Sequence, residues 1–303
     1  MPIKVFIEPG KVVSWGQFRT NYPKYSIALD GFVNEPTARD SEGPYANFDH
    51  HSHVDRLSTL STAAQVHMEI NLDLFKTFQK DKKPKANLYI NDCDEDTALA
   101  VWLLQNHERV IHHADPLINK LVYCNDKLDC TAGSYPFGDI KQLRVMAWVF
   151  EPYQKARSDG ALHKATAGTM RTILEATLAR ITQYSLGNSE ELHLEGSYEV
   201  IGGGATWAMV TESSTTARMF MFHKGIDSFV SVLGNGRYVL GKKSMWTKFP
   251  ILKLYEALNS AEKPGIITPT NRWGGSNTIG GSPRETGSSL TPKEIETVVS
   301  SVL

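Results

Sequence analysis

An α/β fold with a mainly parallel sheet, followed by a smaller α+β domain, is what the sequence predicts, and three observations carry that expectation. Short apolar runs at Lys4–Ile7, Tyr25–Leu29 and Ala86–Ile90 stand in front of charged or Asp-Gly turns. The last run opens into Asn91-Asp92-Cys93-Asp94-Glu95-Asp96-Thr97, then into a helix-like pattern of Leu99, Val101, Trp102 and Leu103, so strand, acidic turn and helix form one unit. Beyond Gly187-Asn188-Ser189-Glu190 the composition changes to short β-type runs split by glycines, with helical patterns after them. A boundary there gives domains of residues 1–188 and 189–303, and 303 residues suffice for two separate cores.

Each element has a local reason. Met1 to Glu8 reads as a first strand, because it lacks the long apolar stretch of a signal peptide. Lys11–Trp15 reads as a second short strand. Tyr25–Leu29 stops at Asp30-Gly31, which puts a carboxylate at the C-terminal edge of a sheet, where open α/β folds collect ligands. Residues 34–45, with Pro36, Gly43 and Pro44, read as a loop that leads to Asp49-His50-His51-Ser52-His53. Ala63–Phe78 is helical in pattern, with Ser61 or Thr62 as its cap, and the basic run to Pro84 ends it. Arg109–Pro116 is a His-rich turn, Leu117–Tyr123 looks helical, and residues 140–186 look mainly helical with a break at Asp159-Gly160. In the second domain, residues 198–201, 207–210, 217–223, 229–233 and 238–240 read as strands. Pro250–Leu258 and a segment starting near Ser289–Pro292 read as helices.

Composition excludes several classes of function. There is no run of eighteen apolar residues and hence no expected membrane span. A formal net charge of −1 provides no global basic field for a long nucleic acid, so a short or nucleotide-sized substrate suits the chain better. The three cysteines, Cys93, Cys124 and Cys130, are too few and odd for a disulfide framework, which points to a reducing, cytoplasmic setting. No Walker A motif and no G-x-S-x-G elbow is present.

The chemistry concentrates in two stretches. Asp49-His50-His51 offers a carboxylate and two imidazoles, and Asp92, Asp94 and Asp96 add acids at the end of another strand. Such donors suit Mn²⁺, Mg²⁺, Zn²⁺ or Fe²⁺. Carboxylates that converge without a cation repel one another and must be partly protonated, and two metal ions remove that conflict. Cys93 alternates away from the aspartates and reads as a buried structural residue. His53 is adjacent to the site, His67 reads as structural, and His112 and His113 stand open between a site role and helix capping.

These motifs resemble the DHH phosphoesterase superfamily. That family has Asp-x-Asp after a strand, a lone Asp ending another, Asp-His-His about twenty residues after the lone Asp, and a further Asp downstream. Here Asp30 precedes Asp49 by nineteen positions, and Asp92-x-Asp94-x-Asp96 with Thr97-Ala98-Leu99-Ala100 is similar to the exonuclease and nano-RNase branch. The resemblance implies metal ligands Asp30, His50, Asp92, Asp94 and Asp96, with Asp30 bridging two ions of Mn²⁺ or Mg²⁺. It implies Asp49 as a supporting carboxylate behind the ligands and His51 as the residue that meets phosphate. For the downstream acid Asp126 is the first choice and Asp129 the second. The motif order is permuted, since Asp-x-Asp precedes Asp-His-His in the family and follows it here. The family's Gly-rich substrate motif carries a His; Gly274-Gly275-Ser276 and Gly280-Gly281-Ser282 stand in a similar place without one.

Glycines let backbone amides approach phosphate, and arginine grips it bidentately, which makes Arg272, Gly274, Gly275, Ser276, Gly281, Ser282 and Arg284 candidate substrate contacts, with Arg284 in the catalytic set. Lys242-Lys243-Ser244 reads as a solvated turn, Gly202-Gly203-Gly204 as a bulge or turn, and Trp246 and Trp273 as packing residues with base stacking as the alternative. The expected function is a two-metal phosphoesterase acting on a nucleotide or short single-stranded oligonucleotide lying between the domains, with no membrane partner and a homodimer left open. The alternatives are a pyrophosphatase or polyphosphatase, and a metal- or nucleotide-binding module without turnover.

Overall fold

A computed structural model describes residues 3–194, 196–213 and 217–303, without the side chains of residues 163 and 164. The expected first strand therefore includes Met1 and Pro2, which lie outside the described residues. The chain forms two compact units, residues 1–130 with 137–192 and residues 131–136 with 193–303.

The first unit holds a five-stranded sheet. Its strands are β1 (Ile3–Ile7), β2 (Ser26–Leu29), β3 (Ala38–Asp40) and β4 (Tyr45–Phe48); a small hairpin of β5 (Gln79–Lys80) and β6 (Lys83–Pro84) stands apart, and β7 (Ala86–Ile90) completes the sheet. The order is β1-β7-β2-β4-β3, all neighbours being parallel except β3 against β4. The unit is thus mixed α/β with a parallel-rich sheet.

The pleat sorts side chains by parity. Ala28, Tyr45 and Tyr89 face an aromatic cluster with Phe18 and Phe32, under α1 (Trp15–Asn21). Ile27, Leu29, Ala46, Phe48, Leu88 and Ile90 face the main core. There they meet α2 (Thr62–Asn71), α3 (Leu74–Thr77), α4 (Glu95–Gln105), α5 (His107–Val110), α6 (Pro116–Cys130), α7 (Ile140–Ser158) and α8 (Ala167–Ser185). Helix α4 is apolar all round, with Ala98 to Leu104 buried, as expected of a helix enclosed on every side.

Several expectations are corrected. Lys11–Trp15 makes only a bridge, Val13 with Val33, and then enters α1. The reason is the reciprocal cap between Ser14 and Gln17, a signal present in the sequence. The loop at 34–45 contains β3, and β4 follows at once. The single helix of 63–78 is two, because Asp73 adopts a left-handed φ of 70°. Leu117–Tyr123 is part of the longer α6, which puts Asp126 and Asp129 on a helix.

The second unit contains β8 (Tyr198–Gly204), β9 (Trp207–Glu212), α9 (Ala217–His223), β10 (Ser228–Gly234), β11 (Arg237–Lys242), α10 (Ile251–Ala261), β12 (Gly274–Gly275), β13 (Ile279–Gly281) and α11 (Pro292–Val302). The sheet order is β12-β13-β11-β10-β9-β8, with β9 and β10 parallel and the rest antiparallel. The expected strand at 217–223 is α9: Ala217, Met221 and Phe222 are buried together, a helical spacing. Gly202-Gly203-Gly204 lies in β8 beside a register shift. No described helix is long and apolar enough to cross a membrane.

Leu99 is fully buried on α4. Leu99→Ala is expected to lower unfolding free energy by about 3 kcal/mol, read by denaturant titration; a loss under about 1 kcal/mol contradicts this core.

Candidate metal centre

The parallel sheet delivers its chemistry at one edge. Strands β2, β4 and β7 run the same way, so Asp30, Asp49 and the Asn91–Asp96 turn all emerge at their C-terminal ends. Asp30 takes a left-handed φ of 50°, which turns the chain sharply after Leu29. Asn91 Nδ2 donates to Gly31 O at 3.0 Å and ties this turn to the neighbouring one.

Asp30 is the best-supported side chain of the cluster. Its Oδ1 accepts from Thr62 Oγ1 at 2.9 Å and lies 2.9 Å from His51 Nε2, and its Oδ2 accepts from Thr97 Oγ1 at 3.2 Å. Burial alone raises a carboxyl pKa, but His51 and His50 outweigh it and hold Asp30 well below the usual carboxylate range.

His50 is fully buried and stands between acids from three elements. Its Nε2 lies 2.8 Å from Asp129 Oδ2, 3.6 Å from Asp30 Oδ1 and 3.8 Å from Asp96 Oδ2. The approach to Asp129 is not aligned as a hydrogen bond: His50 Nε2 and Asp129 Oδ2 are both buried without a hydrogen-bond partner, as is Asp49 Oδ1. His50 and Asp129 form an ion pair when His50 is protonated, and a metal cation in place of that proton would satisfy the same charge. Burial depresses the His50 pKa, yet the Asp129 carboxylate and its neighbours push it up to about 11, so a positive charge is stable at this point. On the other ring edge, Nδ1 lies 3.9 Å from Cys130 Sγ, which is itself 3.2 Å from Thr59 O. With Nδ1 turned to the thiol, Nε2 is the ring nitrogen that faces the acids and could coordinate a cation.

Arg56 is the cation that the sequence reading missed. Its Nη2 donates to Asp129 Oδ1 at 2.9 Å and to Asp129 O at 3.1 Å, and its Nη1 meets His51 Nδ1 at 3.2 Å. A donor at Nδ1 fixes the tautomer in which His51 Nε2–H donates to Asp30. Arg56 and His50 hold Asp129 below its ordinary pKa against the effect of burial. The only sequence signal for Arg56 was its place in the loop after Asp-His-His.

Of the two downstream acids, Asp129 stands at His50 and Asp126 does not. Asp126 Oδ1 accepts from Ser61 N at 2.8 Å, and its Oδ2 pairs with Lys127 at 3.0 Å. Asp96 is also turned to the start of α2: its oxygens accept from Thr62 N at 2.6 Å and Ala63 N at 3.0 Å, with Asn125 Nδ2 at 2.7 Å. Two acids thus serve the free amides at the N-terminus of α2. Burial, then Asp129 and Asp30, raise Asp96 to about 7. Asp94 caps α4 through Thr97 N at 2.9 Å and is raised well above its ordinary value by burial and by Asp30, Asp92 and Asp129. Asp92 accepts from Cys93 N at 2.7 Å. Asp49 is fully buried, and its Oδ2 accepts from His51 N at 3.1 Å and Ser52 N at 2.8 Å, which shapes the Asp-His-His turn.

The donor set fits a divalent cation. Ligand atoms of Asp30, His50 and His51 lie within 4.8 Å of one another, as do those of His50, Asp129 and Cys130. Cys93 is buried in the core with its thiol pushed up to about 12 by burial and by Asp92 and Asp94. His53, His112 and His113 are exposed, and His112 N is bonded to Asn71.

The glycine-rich candidates belong to the second unit, where the sheet uses them. Gly274 and Gly275 pair with Gly281 and Gly280, and Gly281 pairs with Val239. A side chain at Gly280 would stand 2.0 Å from Tyr255 Oη, so close packing alone requires glycine there. Ser276 Oγ accepts from Thr278 N and Ile279 N, Ser282 Oγ accepts from Tyr238 N, and Arg272 and Arg284 are exposed.

No family model matches the chain, and no curated protein matches it. Among solved structures, the crystal structure of an uncharacterized protein from Helicobacter pylori G27 is similar at 9% identity, covering 92% of this chain and 100% of that one, with a TM-score of 0.21. Likeness at that level carries no argument about fold or function.

The two acids of α6 are separable by experiment. Asp129→Asn is expected to weaken Mn²⁺ binding at least about tenfold in calorimetric titration. Asp126→Asn is expected to keep that affinity and to lose about 1 kcal/mol of stability with the α2 contact. The reverse pattern overturns the assignment.

Proposed function

We propose that this chain is a divalent-metal-dependent phosphoesterase of the DHH type, acting on nucleotides or short oligonucleotides. The observation that carries the reading is the meeting of Asp30, His50 and Asp129, from β2, the Asp-His-His turn and α6, around buried donor atoms without hydrogen-bond partners. Asp49 and the Asp92-x-Asp94 turn complete the acidic wall at the same sheet edge.

Mn²⁺ or Mg²⁺ held there supplies Lewis acidity that lowers the pKa of a bound water and offsets charge on phosphoryl oxygens. Asp30, His50 and Asp129 would hold the ions, with Asp92 and Asp94 as further ligands on the neighbouring turn. Thr62 and Thr97 fix the Asp30 carboxylate from both sides and leave it little rotational freedom. His51 has a side chain 35% exposed, more than Asp30, His50 or Asp129, and its Nε2–H can pass from Asp30 to a phosphate oxygen. Arg56 keeps His51 in that tautomer and adds positive charge beside the acids. In hydrolysis the water oxygen forms a bond to phosphorus, the ester P–O bond breaks, and the water proton taken up by the carboxylate cluster is passed to the leaving ester oxygen, which departs as the alcohol. Exclusion of bulk water by the fully buried Asp49 and His50 strengthens each of these electrostatic contacts.

The test is hydrolysis of a dinucleotide and of a phosphomonoester by metal-loaded protein. The expected result is cleavage that requires Mn²⁺ or Mg²⁺, is stopped by a chelator, and falls at least about a hundredfold in Asp30→Asn. Tight metal binding without cleavage of any phosphate ester overturns the enzyme and leaves a binding module.

A further inference from the structure

The turn that follows β11 breaks the usual rules of surface composition. Thr247 N donates to Ser244 O at 3.2 Å, so Met245 and Trp246 are the two central residues of a tight turn. Such positions favour Gly, Asn, Asp, Ser or Pro. Here they carry a thioether that is 45% exposed and an indole that is 94% exposed. Trp273 and Trp207, in the same unit, are 1% and 6% exposed and belong to its core. Trp246 thus adds nothing to the core and leaves a large apolar ring in water, next to the exposed Met245.

The flanks of the turn are basic and unbalanced. Lys243 pairs with Asp227 at 3.2 Å. Lys242 and Lys248 have no ion pair among the described residues, although Lys242 is partly buried at the end of β11. Partial burial lowers the pKa of the Lys242 ammonium. Both lysines border a shallow groove of about 380 Å³ that is otherwise lined by Thr247, Phe249, Pro250, Val302 and Leu303.

We propose that Trp246, Lys242 and Lys248 form a binding surface for single-stranded nucleic acid, with a base stacked on the indole and phosphates at the two ammonium groups. An exposed aromatic face beside unpaired cations is the combination that holds single strands without reading sequence. A duplex keeps its base faces covered by its own stacking and offers the indole nothing. The proposal stands on the second unit alone, and goes beyond the metal-centre reading because it holds whether or not that centre hydrolyses anything.

Fluorescence anisotropy with a labelled oligothymidylate of about twelve nucleotides, in chelator so that no cleavage intervenes, tests it on the full chain. The expected result is binding to the parent protein, weakened about tenfold in Trp246→Ala and largely kept in Trp246→Phe. Lys242→Gln with Lys248→Gln is expected to weaken binding and to reduce the salt dependence by about 0.7 per lysine. The proposal is overturned by no binding at low salt, by equal binding of Trp246→Ala, or by equal affinity for a duplex of the same length. A dimer that dissociates in Trp246→Ala without any oligonucleotide binding also overturns it, and assigns the turn to contact between copies. Because Trp246 is exposed, its replacement leaves folding intact, and circular dichroism checks this.

Discussion

Negative charge taken out of water is the constraint on which the first unit depends. Asp30, Asp49, Asp96 and Asp126 are all buried at or near one edge of the sheet, with Asp129 partly buried beside them. An isolated carboxylate in such a place is strongly unfavourable and survives only with amides, hydroxyls or cations around it. The structure provides all three. The first amides of α2 serve Asp126 and Asp96, two threonine hydroxyls serve Asp30, and Arg56 serves Asp129. What is left over is the ring of atoms around His50 Nε2, where attraction is available and no hydrogen bond is formed.

The fold makes that arrangement inevitable once the strands are parallel. Parallel neighbours end on the same side, so the residues after Leu29, Phe48 and Ile90 share one edge. The helix after β7 begins at the acids, and α2 begins beside them, so two helix N-termini face the same cluster. Their partial positive charge favours carboxylates, and this explains why Asp96 and Asp94 can be tolerated there. Helix α6 then brings Asp129 and Cys130 across to His50. Asp126, one turn earlier on the same helix, falls on the α2 side.

Much of the first unit was legible in the sequence because its signals are local. Apolar runs that stop at Asp30-Gly31 and at Asp92 marked β2 and β7, and Asp49-His50-His51 marked the turn on which the candidate cluster is built. Strand β4 was hidden because Tyr45–Phe48 is only four residues long and includes Asn47. The choice between Asp126 and Asp129 turns on where a helix face points in three dimensions, and no spacing rule holds that information. Arg56 was invisible for the same reason, as its partner Asp129 is far along the chain. In the second unit the glycines of Gly274-Gly275 and Gly280-Gly281 looked like a phosphate loop, since close backbone approach to a ligand and to another strand call for the same residue. The segment at 217–223 looked like a strand because a short apolar run has no distinctive period.

Anomalous diffraction from crystals of Mn²⁺-loaded protein tests most directly whether a divalent cation sits at His50, with Asp30 or with Asp129 beside it. The expected result is an anomalous peak within about 2.3 Å of His50 Nε2 and of an oxygen from Asp30 or from Asp129. A metal-saturated crystal with no peak there, or with its peaks only at surface carboxylates, contradicts the account and makes the cluster a structural network neutralised by protons.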